Sequence, residues 1–304
     1  MDPSACNLTE IATSLSCEFN DALDCLTQAQ VSTLIALHQN YTITVDGETK
    51  DIFPGPEPGA EGTLLSFVAP TGGMYAPAGQ PCGFDWQWPL NFLSGYESGY
   101  NYTDKIVTDA EQQRPGMASP RANTTDWARF HSRGGRLIMY HGPADGIVPT
   151  KSSLEYFQNV GKYSANRDDF MLYYQVPGMA HCFLSDSYPV NLNPPETFPY
   201  VQPQYRAPWF FSAATQGSAV YSGNILGLDL VNNPSTDMFA ALVNWMEHTD
   251  QKPHDIIATT FNTSANWATS YAQRPVCPFP RAADYTGGRT NDTTSWACPP
   301  PLVV

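Results

Sequence analysis

Two apolar runs constrain this chain more than anything else in it. Leu137-Ile-Met-Tyr-His141 and Phe170-Met-Leu-Tyr-Tyr174 are short and almost without polar residues. Runs of that length and uniformity suit strands of a parallel sheet, which are buried on both faces and do not alternate. Between them, Thr150 can cap a helix carrying Leu154, Phe157 and Val160. Strand, helix and second strand make one crossover unit, so the predicted class is α/β with a parallel sheet and flanking helices.

Each strand runs into a loop that holds an ionisable residue. Asp145 follows the first strand. His181 follows the second, in Val176-Pro-Gly-Met-Ala-His-Cys182, 36 residues beyond Asp145. Acid before base, each after a buried strand, is the order found in the back half of a Ser-Asp-His hydrolase. Alone, an aspartate in a loop caps a turn and a histidine after a strand is structural. The pairing of the two, with Cys182 beside His181, is what points to chemistry. His141 is assigned the humbler task of anchoring the loop. The front half of such a site would be a serine on a sharp strand-to-helix turn, and no Gly-x-Ser-x-Gly string occurs. Gly95-Tyr-Glu-Ser98-Gly99 comes nearest, but its spacing differs and no apolar run precedes it. The nucleophile is therefore expected to be absent from these 304 residues.

Composition narrows the partners. A formal net charge of −14, with only 15 lysines and arginines and no basic run, argues against nucleic acid and anionic membrane. No stretch is long and apolar enough to span a bilayer. Seven cysteines occur, none in a Cys-x-x-Cys pair, and Cys82 has no evident partner. Six Asn-x-Ser/Thr sequons, at Asn7, Asn40, Asn101, Asn123, Asn262 and Asn291, favour a secreted glycoprotein. The opening Met1-Asp-Pro-Ser-Ala-Cys6 has neither a basic nor an apolar region of a signal peptide, so the natural start is expected upstream.

Two regions are predicted. Residues 1–125 read as a lid-like insertion, irregular and mostly helical. It contains a capping box at Thr27-Gln-Ala-Gln30, followed by Val31, Leu34, Ile35 and His38 on one helical face. A turn-rich stretch from Pro54 to Gly62 comes next, and then a segment dense in glycine, proline and aromatic residues. Residues 126–304 read as the C-terminal part of a catalytic domain. A short helix over 126–132 stops at Gly134-Gly135, Ser235 caps a helix carrying Met238, Leu242 and Trp245, and 255–261 is extended. From Pro275 onward proline and glycine dominate, with Cys277 and Cys298 stapling the tail.

Several strings resemble the fungal tannase and feruloyl esterase family. His141-Gly-Pro-Ala-Asp-Gly-Ile-Val-Pro149 is similar to that family's acid loop, and Val176-Pro-Gly-Met-Ala-His-Cys182 to its base loop. Arg274-Pro-Val-Cys-Pro-Phe-Pro280, with Tyr285-Thr-Gly-Gly and Cys298, is similar to its C-terminal signature. Asp2-Pro-Ser-Ala-Cys6 through Cys17 and Cys25 to Pro54-Gly55 is similar to its lid. The resemblance implies a partial α/β-hydrolase fold, with a lid inserted ahead of the acid strand and the N-terminal strands and nucleophile elbow missing. It implies Asp145 as acid and His181 as base. It implies that Cys17 pairs with Cys25, that Cys182 bridges to a cysteine beside the serine upstream of Met1, and that Cys6 bridges to another missing residue. The family's calcium loop would also lie upstream, so no cofactor or metal is expected within this chain. The missing strands would leave one sheet edge open.

The expected function is hydrolysis of aryl carboxylic esters, galloyl or feruloyl in type, by an extracellular serine esterase of which this chain is a fragment inactive by itself. Its partners would be a small aromatic ester and its own missing N-terminal half. The alternative is a non-catalytic remnant that binds aromatic esters or glycans.

Overall fold

Residues 6–17, 25–45, 47–61, 95, 105–106, 108–109, 125–179, 233–261 and 270–300 are described by the computed structural model. Their centre is the crossover unit. Strand β3 (Leu137–His141) lies parallel to β4 (Met171–Gln175), in register from Leu137 opposite Met171 to His141 opposite Gln175. Helix α4 (Thr150–Tyr163) connects them.

Side-chain alternation along β4 decides where the helices go. Met171 and Tyr173 face one way and pack with Phe157 and Val160 of α4, joined by Leu137 and Met139 of β3. Leu172, Tyr174 and Val176 face the other way. They pack with Met238, Ala241 and Trp245 of α5 (Met238–Glu247), joined by Ile138 and Tyr140. All five of these helical residues are at most 4% exposed. A helix on each face makes three layers, which is why neither apolar run alternates.

The far side of β4 is also covered. The Phe279 amide donates to the Tyr173 carbonyl at 2.7 Å, and Pro278 bridges to Tyr174. Among the described residues β3 pairs with β4 alone, so its other edge has no strand beside it.

Around this centre, α3 (Ala128–His131) precedes β3 and ends before Gly134, whose φ of +78° only glycine adopts readily. Strands β5 (Ile256–Phe261) and β6 (Ser270–Val276) form an antiparallel pair, and β7 (Asp284–Tyr285) pairs with β8 (Trp296–Ala297). Near the N-terminus lie α1 (Leu8–Ser14), α2 (Gln28–Leu37) and an antiparallel hairpin of β1 (Tyr41–Val45) and β2 (Glu48–Phe53).

Several local expectations change. The N-terminal region contains that hairpin as well as helices. Its signal was present in the alternation of Tyr41-Thr-Ile-Thr-Val45 and in the Asp-Gly pair that follows it in the sequence. Thr150 is the first residue of α4 and not its cap. Pro149 occupies that position, and the Thr150 hydroxyl is used against the Tyr173 hydroxyl at 3.1 Å. Asp237, not Ser235, caps α5, with its Oδ1 accepting from the Phe239 and Ala240 amides at 2.9 and 3.1 Å. Strand β6 runs through Pro275, opposite Ile257, so regular extended structure continues beyond the 255–261 segment.

Candidate functional site

At the end of β3 the chain turns through Gly142-Pro-Ala-Asp-Gly-Ile-Val-Pro149 into α4. Asp145 in this loop has a side chain only 2% exposed. Its Oδ1 accepts from the amides of Ile147 and Val148, both at 2.9 Å. Its Oδ2 lies 3.1 Å from Nε2 of His141. Donors converging on both oxygens offset the cost of burying the charge and fix the plane of the carboxylate. His141 is itself held, with Nδ1 at 2.8 Å from Oγ of Ser153 in the first turn of α4.

The loop after β4 is fastened to the acid loop through its backbone. Val176 donates to the His141 carbonyl at 2.9 Å, and Ala144 donates to the Met179 carbonyl at 3.1 Å. Gly178 makes the intervening turn with φ +75°. The approach is so close that a Cβ on Gly142 would sit 1.8 Å from the Met179 oxygen. His181 and Cys182 follow Met179 by two and three residues and lie outside the described residues, as do Cys82 and the sequon residues Asn101, Asn123 and Asn262. The described part of the base loop therefore ends against the loop that holds Asp145.

Of the remaining residues singled out in the sequence, Cys17 is bonded to Cys25 and Cys277 to Cys298, with Cα–Cα distances of 5.0 and 5.6 Å. Cys6 is an exposed free thiol. Asn7, Asn40 and Asn291 are exposed. Oδ1 of Asn7 caps α1, and Asn40 Nδ2 donates to Asp51 at 3.2 Å.

A buried charged group near the acid loop is not evident in the sequence. The segment 54–61, within the turn-rich stretch, packs against both α2 and α4. His38, the C-cap of α2, places Nε2 2.9 Å from Glu61 Oε1 and Nδ1 2.7 Å from the Pro56 carbonyl. Glu57, its side chain 4% exposed, lies 3.7 Å from Nζ of Lys151 in the first turn of α4. These contacts join positions 23 and 94 residues apart, beyond the reach of a periodicity argument.

The pair of His38 and Glu61 makes stability depend on pH. The hydrogen bond to Glu61, helped by the Pro56 carbonyl, holds His38 above its usual 6.5 despite burial and nearby Lys151. For Glu61, burial pushes upward, but the bonds from His38, from its own amide and from the Gly59 amide prevail, and it lies below its usual 4.5. A raised histidine contributes stability that is complete below 6.5 and is lost as pH rises through the folded value. A lowered glutamate contributes above 4.5 and loses it as pH falls through the folded value. The window of greatest benefit is therefore 4.5 to 6.5. Urea unfolding should show His38→Gln separated most from the parent protein at about pH 5.5, with the gap narrowing by about pH 8.5. An equal gap at both values would refute the assignment.

Among the described residues no three His, Cys, Asp or Glu side chains are grouped to hold a metal ion, and no helix is long and apolar enough to cross a membrane. The family model described as "Tannase and feruloyl esterase" matches residues 1–299. A probable feruloyl esterase B-1 of Aspergillus terreus is 26% identical over 288 residues, covering 92% of this chain and 45% of that relative. The crystal structure of an esterase from Aspergillus oryzae superposes with a TM-score of 0.73 at 22% identity, covering 98% of this chain and 51% of the other. Feruloyl esterase B from the same organism gives 0.70 at 23% identity, with coverage of 98% and 51%. The two structures share this chain's mixed α/β fold. The chain spans about half the length of the curated relatives it matches.

Proposed function

Since the chain belongs to the tannase and feruloyl esterase family, we propose that it carries the acid and the base of an extracellular carboxylic ester hydrolase acting on aryl esters of the galloyl or feruloyl type. The nucleophilic serine comes from a polypeptide segment outside residues 1–304. The observation that carries this reading is the acid loop. Asp145 is buried, oriented through both oxygens and located at the end of a parallel strand, while the loop leading to His181 is bonded to Ala144.

In the proposed reaction His181 takes the proton of the serine hydroxyl as its oxygen attacks the ester carbonyl carbon. Asp145 orients the imidazole and stabilises its cation. Backbone amides hold the oxyanion, each worth about 3 kcal/mol. The carbon–oxygen bond to the alcohol then breaks and His181 returns the proton to the leaving oxygen. Water releases the acyl group by the same steps. No step calls on a metal or cofactor held by this chain.

On this reading the chain is a partial α/β-hydrolase fold, and the segment that completes it would pack beside β3. The edge of β3 away from β4 would receive a further parallel strand. Helix α5 also presents Phe239, Val243 and Met246 on one exposed face, at 61, 37 and 47% exposure, and apolar stripes of this kind suit a covering polypeptide. Hydrolysis of methyl ferulate and p-nitrophenyl acetate tests the proposal. The chain alone should give no turnover above a His181→Ala control. Co-expression with the upstream half of a family relative should restore turnover that His181→Ala abolishes. Turnover by the isolated chain that depends on His181 would overturn the need for an outside hydroxyl.

A further inference from the structure

Segment 54–61 is held to the C-terminal end of α2 by a histidine whose two bonds both have a fixed direction. Nδ1 of His38 lies 2.7 Å from the Pro56 carbonyl oxygen, and Nε2 lies 2.9 Å from Oε1 of Glu61. A carbonyl oxygen only accepts. So does an ionised carboxylate, and Glu61 lies below its usual 4.5. Both ring nitrogens must therefore donate, and only the imidazolium carries two N–H groups. A neutral ring would leave one of the two oxygens facing a bare nitrogen lone pair.

The cation sits among few charges. The His38 side chain is 3% exposed and that of Glu61 33%. Helix α2 has no ionisable residue between Gln28 and Leu37. The charged groups that bear on His38 come from the two elements beside it. Glu61 of the segment favours the cation, and Lys151 of α4 opposes it. Lys151 in turn faces Glu57 of the same segment at 3.7 Å. The segment is also closely seated on the end of α2. A Cβ on Gly55 would lie 2.3 Å from the His38 carbonyl oxygen, and the Gly55 amide donates to Asn40 Oδ1 at 3.3 Å. Prolines at 54, 56 and 58 stiffen the segment, so an anchor lost at Pro56 or Glu61 is felt along its length.

We propose that His38 is a proton-operated latch: its imidazolium clasps segment 54–61 at Pro56 and Glu61, and loss of the proton releases the segment from α2 and loosens its contact with the first turn of α4. The latch is closed below 6.5 and opens as pH rises through the folded value, because the folded state binds the proton more tightly than the open one. Helix α4 begins where the acid loop ends, so the release reaches the element next to Asp145. The device stands apart from the hydrolase reading, since it concerns one stretch of chain held against another.

The test uses the full chain and two readouts. With 15N-histidine labelling six imidazoles appear, and His38→Gln identifies the signal of His38. At about pH 5.5 that ring should show both nitrogens protonated. Amide exchange is followed at Gly55, Gly59 and Ala60, whose N–H groups are bonded to Asn40, Glu61 and Glu57. Their protection should fall at least about ten-fold between about pH 5.5 and about pH 8.5, with the midpoint of the His38 titration. These amides should exchange faster than those of β4 at both values, the mark of a local opening. Glu61→Gln should move both midpoints to lower pH together, and His38→Gln should leave protection low and level across the range. A neutral His38 at pH about 5.5 overturns the proposal. So does protection in the segment that ignores the His38 titration, or a midpoint unmoved by Glu61→Gln. Exchange of the segment at the rate of β4 would overturn it too, since the opening would then be unfolding of the whole chain.

Discussion

Gly142→Ala is expected to cost more than about 4 kcal/mol of folding stability, in the rare tail of point substitutions. The reason is the junction of the two loops. A methyl group at position 142 would lie 1.8 Å from the Met179 carbonyl oxygen and 2.4 Å from its carbon. Both are backbone atoms, so no side-chain rotation relieves the overlap. The loops must separate, which breaks the bond from Ala144 to Met179 and disturbs the loop in which Asp145 is buried. Gly161 in α4 is the matched control. A methyl there meets the tip of Arg167 at 2.7 Å, the end of a flexible side chain, and the gain in helix propensity is about 1 kcal/mol. Urea unfolding should therefore leave Gly161→Ala within about 1 kcal/mol of the parent while Gly142→Ala falls far below it. Equal stabilities for the two variants would mean that the loops do not meet as described.

That junction also marks where sequence reasoning succeeds and where it stops. Strands β3 and β4 are legible because burial on both faces leaves uninterrupted apolar runs, and α4 because Leu154, Phe157 and Val160 recur at helical spacing. The Thr27–Gln30 capping box is legible for a similar reason. Both halves of it lie within one turn, and both bonds form. Asp145 could be singled out because it lies in the loop that follows a strand. Its partners were harder to see. The role of Ser153 depends on α4 folding back beside His141, and that of Glu57 on a loop reaching Lys151 from 94 residues away. The cap of α5 was misplaced because serine and aspartate compete for one task two positions apart, and only the entry angle of the chain separates them. Strand β6 was hidden by Pro275, which interrupts an otherwise ordinary extended segment.

Asp145→Asn should reduce kcat by about 10⁴-fold in the assembly that supplies the serine, with the fold intact. The substitution preserves shape and changes one charge and one donor. The asparagine carbonyl can still accept from Ile147 and Val148, while its amide nitrogen must take the place of Oδ2 opposite His141. Two donors would then face each other unless His141 surrenders the hydrogen on Nε2. It can do so by moving that hydrogen to Nδ1 and donating to Ser153, which is placed to accept at 2.8 Å. The loop should therefore survive through a change of tautomer, and the thermal midpoint should move by less than about 4 °C, the upper shift expected for a loss near 1 kcal/mol in a large domain. The proposed base, His181, would have no such escape. Its neighbour now offers a donor where the imidazolium needs an anion, so the proton is held poorly and on the wrong nitrogen. The loss should appear in kcat and not in KM, because ground-state binding of the ester does not use the carboxylate. An Asp145→Asn assembly that keeps activity within about ten-fold of the parent would remove Asp145 from the reaction, since no tuned acid is dispensable at that level.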